Sequence, residues 1–464
     1  MPAYFILIAA AVAVAALSGL PTAWDGGYIF YRAVDDQAPY VSNGRLINAA
    51  LQVPTLLWAR FSGDAQGARH AFSLAYAAVP LLALSASWWL VRDRDRSLMV
   101  WPALGIGLAT LGGQAFFASE AIMVVQLFWP LLLAVMVGAG PASTSLAAVL
   151  AVVLAFSHPT APLLLGIGAG AGFLLGAADE RRRRRDWRWS LALFAAAGTS
   201  LVWSAVRLEP HAAESMTPEA IGAKFAGGVL GPPLISLTLA AFAGLALLAP
   251  LARSHLAPLP RALAPVLAAA AGAVLLPWAA DPLAWRHADD FRAWALFTSL
   301  PIGALGLADH LARRRAARED GGEWTARRRV CLVAAAAMLS VVGLQSAGWA
   351  ALEGRLAESI RRAQASCVER SSLSWLDGGP LDHWSLTARS LVSQGRDPRT
   401  IVLFGRPCAW TALANGIPIV GFDLRDPDEG WFRLRPLYDS LREQLGTGGS
   451  AAAAASSRGR GGHE

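Results

Sequence analysis

The chain has 464 residues, 55% of them hydrophobic and only 16% charged, with a positive mean hydropathy, whereas a soluble domain carries about 25% charged residues. Apolar runs of about 20 residues, the length that crosses a hydrocarbon core roughly 30 Å thick, recur along most of the sequence, so an ordinary soluble globular protein is excluded and an all-α polytopic membrane protein is expected. The net charge of +7 rests on arginine, with Lys224 the only lysine, and the arginines cluster between apolar runs. They read as topology signals, not as the basic face of a nucleic-acid-binding domain, so no nucleic-acid partner is expected.

The first apolar run, Tyr4 to Leu20, is a retained helix or a signal peptide cut near Ala16, Leu17 and Ser18. The absence of a basic segment before it favours the retained helix, and both readings leave residue 25 outside the cytoplasm. A long outer loop follows over residues 21–69. Stretches around Ile29 to Val34 and Leu46 to Phe61 have helical spacing and are expected to lie flat on the bilayer surface. Asp25 lies just past the first span, in Trp24-Asp25-Gly26-Gly27-Tyr28. It is either a general base acting on an acceptor hydroxyl or the cap of the short helix that begins near Tyr28. The adjacent Asp35 and Asp36 read as a solvated turn in preference to a metal site. Arg45, flanked by Asn43 and Asn48, is a further candidate for holding a phosphate.

Further spans are expected at residues 70–91, 98–117, 121–139, 144–157, 161–177, 188–206, 231–252, 262–279, 292–311 and 330–350, eleven in all with the first. Glu120 sits in the outer turn between the third and fourth spans. An acid at the membrane edge is costly unless paired or used, so it is a candidate second carboxylate. His158, in Ser157-His158-Pro159-Thr160, occupies the outer turn between the fifth and sixth spans. The run Trp285-Arg286-His287-Ala-Asp289-Asp290-Phe291-Arg292 gathers two arginines, a histidine and two acids at the outer edge of a late helix. Arg292 and Arg286 could grip a phosphate through charge-assisted hydrogen bonds, or bridge internally to Asp289 at helical spacing.

The arginine clusters at residues 92–96, 181–188, 253–261 and 313–329 all fall on one side if the spans alternate. The positive-inside rule makes that side cytoplasmic, so the N-terminus is expected inside and the chain from residue 351 outside, as in a bacterial inner membrane protein facing the periplasm. That C-terminal stretch offers β-type runs at Thr400 to Phe404 and Ile417 to Phe422, with helix-like stretches at His383 to Ser393 and Leu437 to Leu445. A transmembrane region over residues 1–350, a small extracytoplasmic α/β domain over 351–445 and a disordered tail over 446–464 are expected. Cys367 and Cys408 both lie in the exported part, where a disulfide is plausible, while Cys331 falls in the last span. Without a CxxC or a His pair the three cysteines point to no zinc or iron–sulfur site; no cofactor is expected, and nothing supports a divalent metal.

The string Asp25-Gly-Gly-Tyr28-Ile-Phe-Tyr31-Arg32-Ala33, followed by Pro39-Tyr40, resembles the first outer loop of membrane glycosyltransferases of the GT-C superfamily, and is most similar to the polyprenyl-phosphate-mannose and arabinose-dependent enzymes. Ser157-His158-Pro159-Thr160 resembles the turn of a basic residue and proline common in that group, and Phe291-Arg292-Ala-Trp294 resembles the Arg-Tyr that opens a late helix. Asp36 and Gln37 stand where the family often has glycine, and Trp294 departs from its aromatic pattern. The resemblance implies an inverting transfer from a polyprenyl-phosphate-linked sugar to a lipid, glycan or protein acceptor at the outer face. Asp25 would then be the base and Glu120 the second catalytic carboxylate. Arg292, His158, Arg286 and Arg45 would lie around the donor phosphate, and Tyr28, Tyr31 and His287 would contact substrate. The competing readings are a transporter or lipid flippase, which needs charges near mid-membrane, and a glycan ligase or polymerase of another fold, which carries its long loop late in the chain.

Overall fold

The computed structural model of the protein describes residues 1–111, 116, 118–138, 140–180, 182–207, 219, 288–316, 323–376, 384–404, 407, 408, 416–420 and 423–443. The expected spans at 231–252 and 262–279, the arginines near residue 253 and the tail 446–464 lie outside the described residues. The chain is mostly helical, with α1 (Pro2–Ser18), α2 (Asp25–Asp36), α3 (Ile47–Ser62), α4 (Ala65–Ala77), α5 (Val79–Val91), α6 (Val100–Leu111), α7 (Glu120–Val137), α8 (Pro141–Ala155), α9 (Ala161–Ala178), α10 (Arg183–Arg207), α11 (Ala288–Ala316) and α12 (Glu323–Arg362), followed by α13 (Leu386–Val392) and a last helix, α14, over 435–443. Among the described residues, five stretches are long and apolar enough to cross a membrane: Ala65–Val91, Glu120–Val137, Ala161–Ala178, Arg183–Arg207 and Arg327–Arg362. Pro2–Ser18 and Pro141–Ala155 are shorter apolar helices.

The chain divides into two compact units. One comprises Met1–Ala15, Val41–Ala50 and Tyr76–Gln345; the other comprises Ala16–Tyr40, Leu51–Ala75 and Ser346–Glu464. The C-terminal segment therefore shares its compact unit with parts of the segment 21–69.

In the first unit α7 is buried along nearly its whole length, because it is apolar on every side. Its 18 residues rise about 27 Å, close to a hydrocarbon core. Gly105 of α6 makes room for the Trp129 indole; a Cβ there would overlap it. α9 and α10 pack antiparallel through small residues, with Gly168 against Leu193, Gly172 against Ser190 and Gly176 against Trp187. That four-residue spacing is the close-approach pattern of membrane helices.

The two ends of this unit differ. At one end Arg94 donates to the Gly138 carbonyl, Arg182 to Met136, Arg313 to Asp95 and Arg327 to Asp309. Members of three of the four arginine clusters thus meet where α5 and α7 finish. At the other end Glu120 opens α7, and the 44–48 backbone is held by Leu46 N–H donating to Phe156 and by the Trp203 indole donating to Gly44.

In the second unit α1 finishes at Gly19, whose φ of 71° suits glycine, and Pro21 blocks continuation. α2 departs from the expected surface helix. Ile29, Phe30, Tyr31, Ala33 and Val34 are all buried, as are Gly26, Gly27, Tyr28 and Asp35. The reason is a covering partner from the other end of the chain, α13 and residues 431–432. α3 instead keeps Val53, Leu57, Trp58 and Phe61 exposed, the stripe that a helix resting on a bilayer carries.

The C-terminal segment has two small sheets. β1 (Cys367–Glu369) runs parallel to β2 (Ile401–Leu403), with α13 in the crossover, and β3 (Ile417–Val420) pairs antiparallel with β4 (Asp423–Arg425). β2 and β3 lie on the two β-type runs of the sequence; β1 precedes the expected start of strand structure. A disulfide joins Cys367 to Cys408 beside β1, and Cys331 is buried.

Candidate functional site

Asp25 is the first residue of α2 and is half-buried. The cap position belongs to Trp24, which makes no side-chain cap bond and has φ 52° and ψ −130°. A positive φ is uncommon for a bulky residue and costs on the order of 1–3 kcal/mol unless the surroundings enforce it. Here Ser385, just before α13, donates its hydroxyl to the Trp24 carbonyl at 2.6 Å. Asp25 is therefore not the helix cap; its charge faces the positive end of the α2 dipole from the first turn.

Beneath this turn lies a buried ionic group. A Cβ at Gly27 would sit 3.3 Å from Arg389 Cδ and 3.1 Å from the Thr22 carbonyl, so glycine admits the close approach of α13. Arg389 is fully buried, pairs with Glu353 and lies over the Trp349 ring at 5.5 Å. Arg69 pairs with the same Glu353 and donates to the Ser18 carbonyl. Burial, and then the Arg69 charge, hold the Arg389 guanidinium well below its ordinary pKa. Nothing in the local sequence marks Arg69 or Glu353; Arg389 alone stands out, as the one charge within α13.

The far end of α2 is anchored by Asp35, which is buried. Its carboxylate meets Arg425 at 2.7 Å and accepts from the Tyr31 hydroxyl and from Phe432 N–H, both at 3.2 Å. Burial raises the Asp35 pKa, and Arg425 and these hydrogen bonds oppose the rise. Asp36 bonds Arg32 at 3.0 Å and Arg425 at 2.8 Å. The pair expected as a solvated turn is thus an anchor for the C-terminal segment, because a single arginine from β4 reaches both acids.

Of the expected substrate contacts, Tyr31 is fully buried and stacks on Phe432 at 5.0 Å. Tyr28 lies edge-on to Tyr40 at 5.4 Å and to Trp384 at 5.0 Å, and its hydroxyl accepts from Arg32. Arg32 also lies over the Tyr40 ring. Trp431 packs against Phe432 and beneath Arg396, while Trp375 is half-exposed.

In the first unit Arg45 and Glu120 come together. Arg45 Nη1 donates to Glu120 Oε2 at 3.1 Å, Asn48 Nδ2 to Oε1 at 2.5 Å, and the Tyr76 hydroxyl to Asn48 Oδ1 at 2.8 Å. Glu120 is buried, and its two oxygens are shared between an arginine and an amide. An acid and a phosphate-type arginine drawn from separate loops form one network, and Asn48 belongs to it as well. His158 turns back on its own loop: Nδ1 accepts from Thr160 N–H at 3.2 Å and lies 2.9 Å from the Thr160 hydroxyl. That leaves the proton of the neutral ring on Nε2. Arg292 lies on the early part of α11; its side chain, and Arg286 and His287, lie outside the described residues. No family model, curated protein or solved structure matches the chain.

Each unit thus carries one half-formed constellation: in the second, a carboxylate at a strained helix start over an arginine pair; in the first, a carboxylate tied to an arginine and two polar side chains. Among the described residues no three metal-binding side chains converge.

Proposed function

We propose that the protein is an integral-membrane glycosyltransferase that moves a sugar from a polyprenyl phosphate to an acceptor hydroxyl on the non-cytoplasmic side of a bacterial inner membrane. The observation that carries this reading is the setting of Asp25. It follows the first apolar helix after one short turn, it is half-exposed, and it stands next to a strained backbone residue fixed by a hydrogen bond from far along the chain. Strain maintained beside an acid is a feature of functional sites. The chemistry asked of Asp25 is that of a general base. It takes the acceptor proton as the acceptor oxygen bonds to the anomeric carbon, while the bond from that carbon to the phosphate oxygen breaks and its electron pair leaves with the phosphate. Attack opposite the leaving group inverts the anomeric centre. In this reading the disulfide supports an oxidising compartment for the C-terminal segment.

The test is Asp25→Asn in purified protein, offered polyprenyl-phosphate mannose or arabinose. Asn keeps the shape of the side chain but accepts no proton, so turnover is expected to fall on the order of 100- to 10,000-fold with donor binding retained. A role confined to the helix dipole would cost about 0.3–1 kcal/mol of stability and leave turnover near normal. Retention of more than about a tenth of parental transfer would remove Asp25 as base and leave Glu120 as the principal carboxylate.

A further inference from the structure

α13 opens on Ser385, whose hydroxyl makes no bond to the helix that it caps. A serine in that position ordinarily accepts from an N–H of the first turn. Ser385 is buried and donates instead to the Trp24 carbonyl at 2.6 Å. Arg389, four residues on, lays its stem along Gly27, so α13 meets the start of α2 at two neighbouring points. The turn that leads into α2 is gripped at its other end as well. Arg69 donates to the Ser18 carbonyl and pairs with Glu353, the acid that also pairs with Arg389.

What the Ser385 bond fixes is the direction of Asp25. The peptide joining residues 24 and 25 is planar, so its oxygen, its N–H and the Asp25 Cα rotate as one body. Holding the oxygen holds that plane, and with it the ψ of −130° at Trp24 and the line on which the Asp25 side chain leaves the backbone. The Gly27 N–H reaches the same oxygen at 3.4 Å, beyond the usual range. Trp24 is strained at φ 52°, and strain of that kind is comparable in size to one buried hydrogen bond, so loss of the bond lets the turn relax.

Attachment of the C-terminal segment is served elsewhere on α2, by the Asp35–Arg425 pair and the stacking of Tyr31 on Phe432. The Ser385 bond falls on the strained residue beside the acid. On the reading of Asp25 as a general base, on which this inference rests, we infer that Ser385 is a positioning residue: through the Trp24 carbonyl it aims the Asp25 carboxylate at the acceptor hydroxyl. The C-terminal segment thereby completes an active site whose acid lies near the start of the chain. A misplacement of about 1 Å costs on the order of 100-fold in rate.

The test is a double-mutant cycle on the full chain, with transfer from radiolabelled polyprenyl-phosphate mannose or arabinose measured per molecule that binds donor. Ser385→Ala is expected to lower kcat about 10- to 100-fold with the KM for donor near the parent's, the pattern of a lost transition-state contribution. A residue that acts through Asp25 has nothing left to aim once that carboxylate is gone, so Ser385→Ala is expected to cost nothing further in the Asp25→Asn background. Equal fractional losses in the two backgrounds would make Ser385 merely structural and overturn the inference while leaving Asp25 as base. Full activity of Ser385→Ala would do the same. Asp25→Asn alone, with Ser385 intact, reports on the base itself: retention of more than about a tenth of parental transfer removes that reading, and this inference with it. Should Ser385→Ala fail to fold, Ser385→Cys keeps nearly the same volume with a much weaker donor. A loss of turnover by that variant confined to the Asp25 background supports the positioning role, and a loss shared by both backgrounds refutes it.

Discussion

At the residue scale the Asp35–Arg425 pair shows how a charge inside the protein depends on its partner. The Asp35 carboxylate is wholly shielded from solvent while Arg425 is part-exposed. Removing the arginine strands a buried negative charge, and losing one partner of a buried pair typically costs about 3–5 kcal/mol. Arg425→Met is therefore expected to lower thermal stability sharply at pH 8. The pH dependence has a definite sign. Burial already raises the Asp35 pKa in the parent, and without Arg425 the opposing attraction is gone, so the rise is larger. An acid with a raised folded-state pKa contributes stability that is present below its unfolded value, about 3.9, and is lost as pH climbs through the folded value. Melting of Arg425→Met should thus improve on acidification from pH 8 toward 5, more steeply than the parent, and adding Asp35→Asn should flatten that response. A pH profile parallel to the parent's would show that Asp35 is not the stranded charge. The spacing of Asp25, Tyr28 and Tyr31 is legible in the sequence, yet the work of Asp35 is not, because Arg425 lies at the other end of the chain and no local pattern pairs them. The same distance conceals Arg69 and Glu353 beneath Gly27.

At the element scale, apolar periodicity identifies helices well and their surroundings poorly. α2 and α3 carry similar stripes, but α2 is covered by α13 while α3 keeps its stripe exposed. An amphipathic pattern states that a face will be covered, not whether lipid or protein covers it. Polar flanks were equally uninformative about length: α12 runs 40 residues from Glu323, about 60 Å, where its apolar part alone spans residues 330–350. Close helix approach is the feature of the bundle most sensitive to single residues. A Cβ on Gly172 would lie 3.2 Å from the Asp186 carbonyl, an atom of the backbone that has nowhere to go, and would overlap Ser190 Oγ. Gly170, on the same helix, has nothing within 4 Å of its Cβ position. Gly172→Val is expected to destabilise the protein by about 1–3 kcal/mol through overpacking, read as earlier loss of the monodisperse peak on heating in detergent. Gly170→Val should behave nearly as the parent. Equal behaviour of the two would mean that α9 and α10 do not meet through this face.

At the scale of the whole molecule, one compact unit ties an early segment to a late one. The Trp24 carbonyl accepts from Ser385, and Asp35 and Asp36 share Arg425, so residues 24–36 and 385–425 lie on the same side of any membrane. The chain between them must therefore cross an even number of times. The ten spans expected between residues 70 and 350 satisfy this, and so do the eight left if the pair near 231–279 does not cross. A single crossing gained or lost does not. The meeting of three arginine clusters at one end of the first unit fits the same alternation, and in the proposed topology the positive-inside rule makes that end cytoplasmic. In that proposed topology the C-terminal segment, with its disulfide, is on the exported side. An exported-only phosphatase fused after Glu443 is expected to be active and one fused after Arg315 inactive. Because the argument turns on parity, a third fusion after Gly63 is the sharper measurement: it must agree with the one after Glu443 whichever way the protein is inserted, since residues 51–75 share that unit. Agreement with both fusions inactive would invert the topology and leave the unit intact. Disagreement between them would break the unit itself, and with it the covering of α2 that sets Asp25 in place.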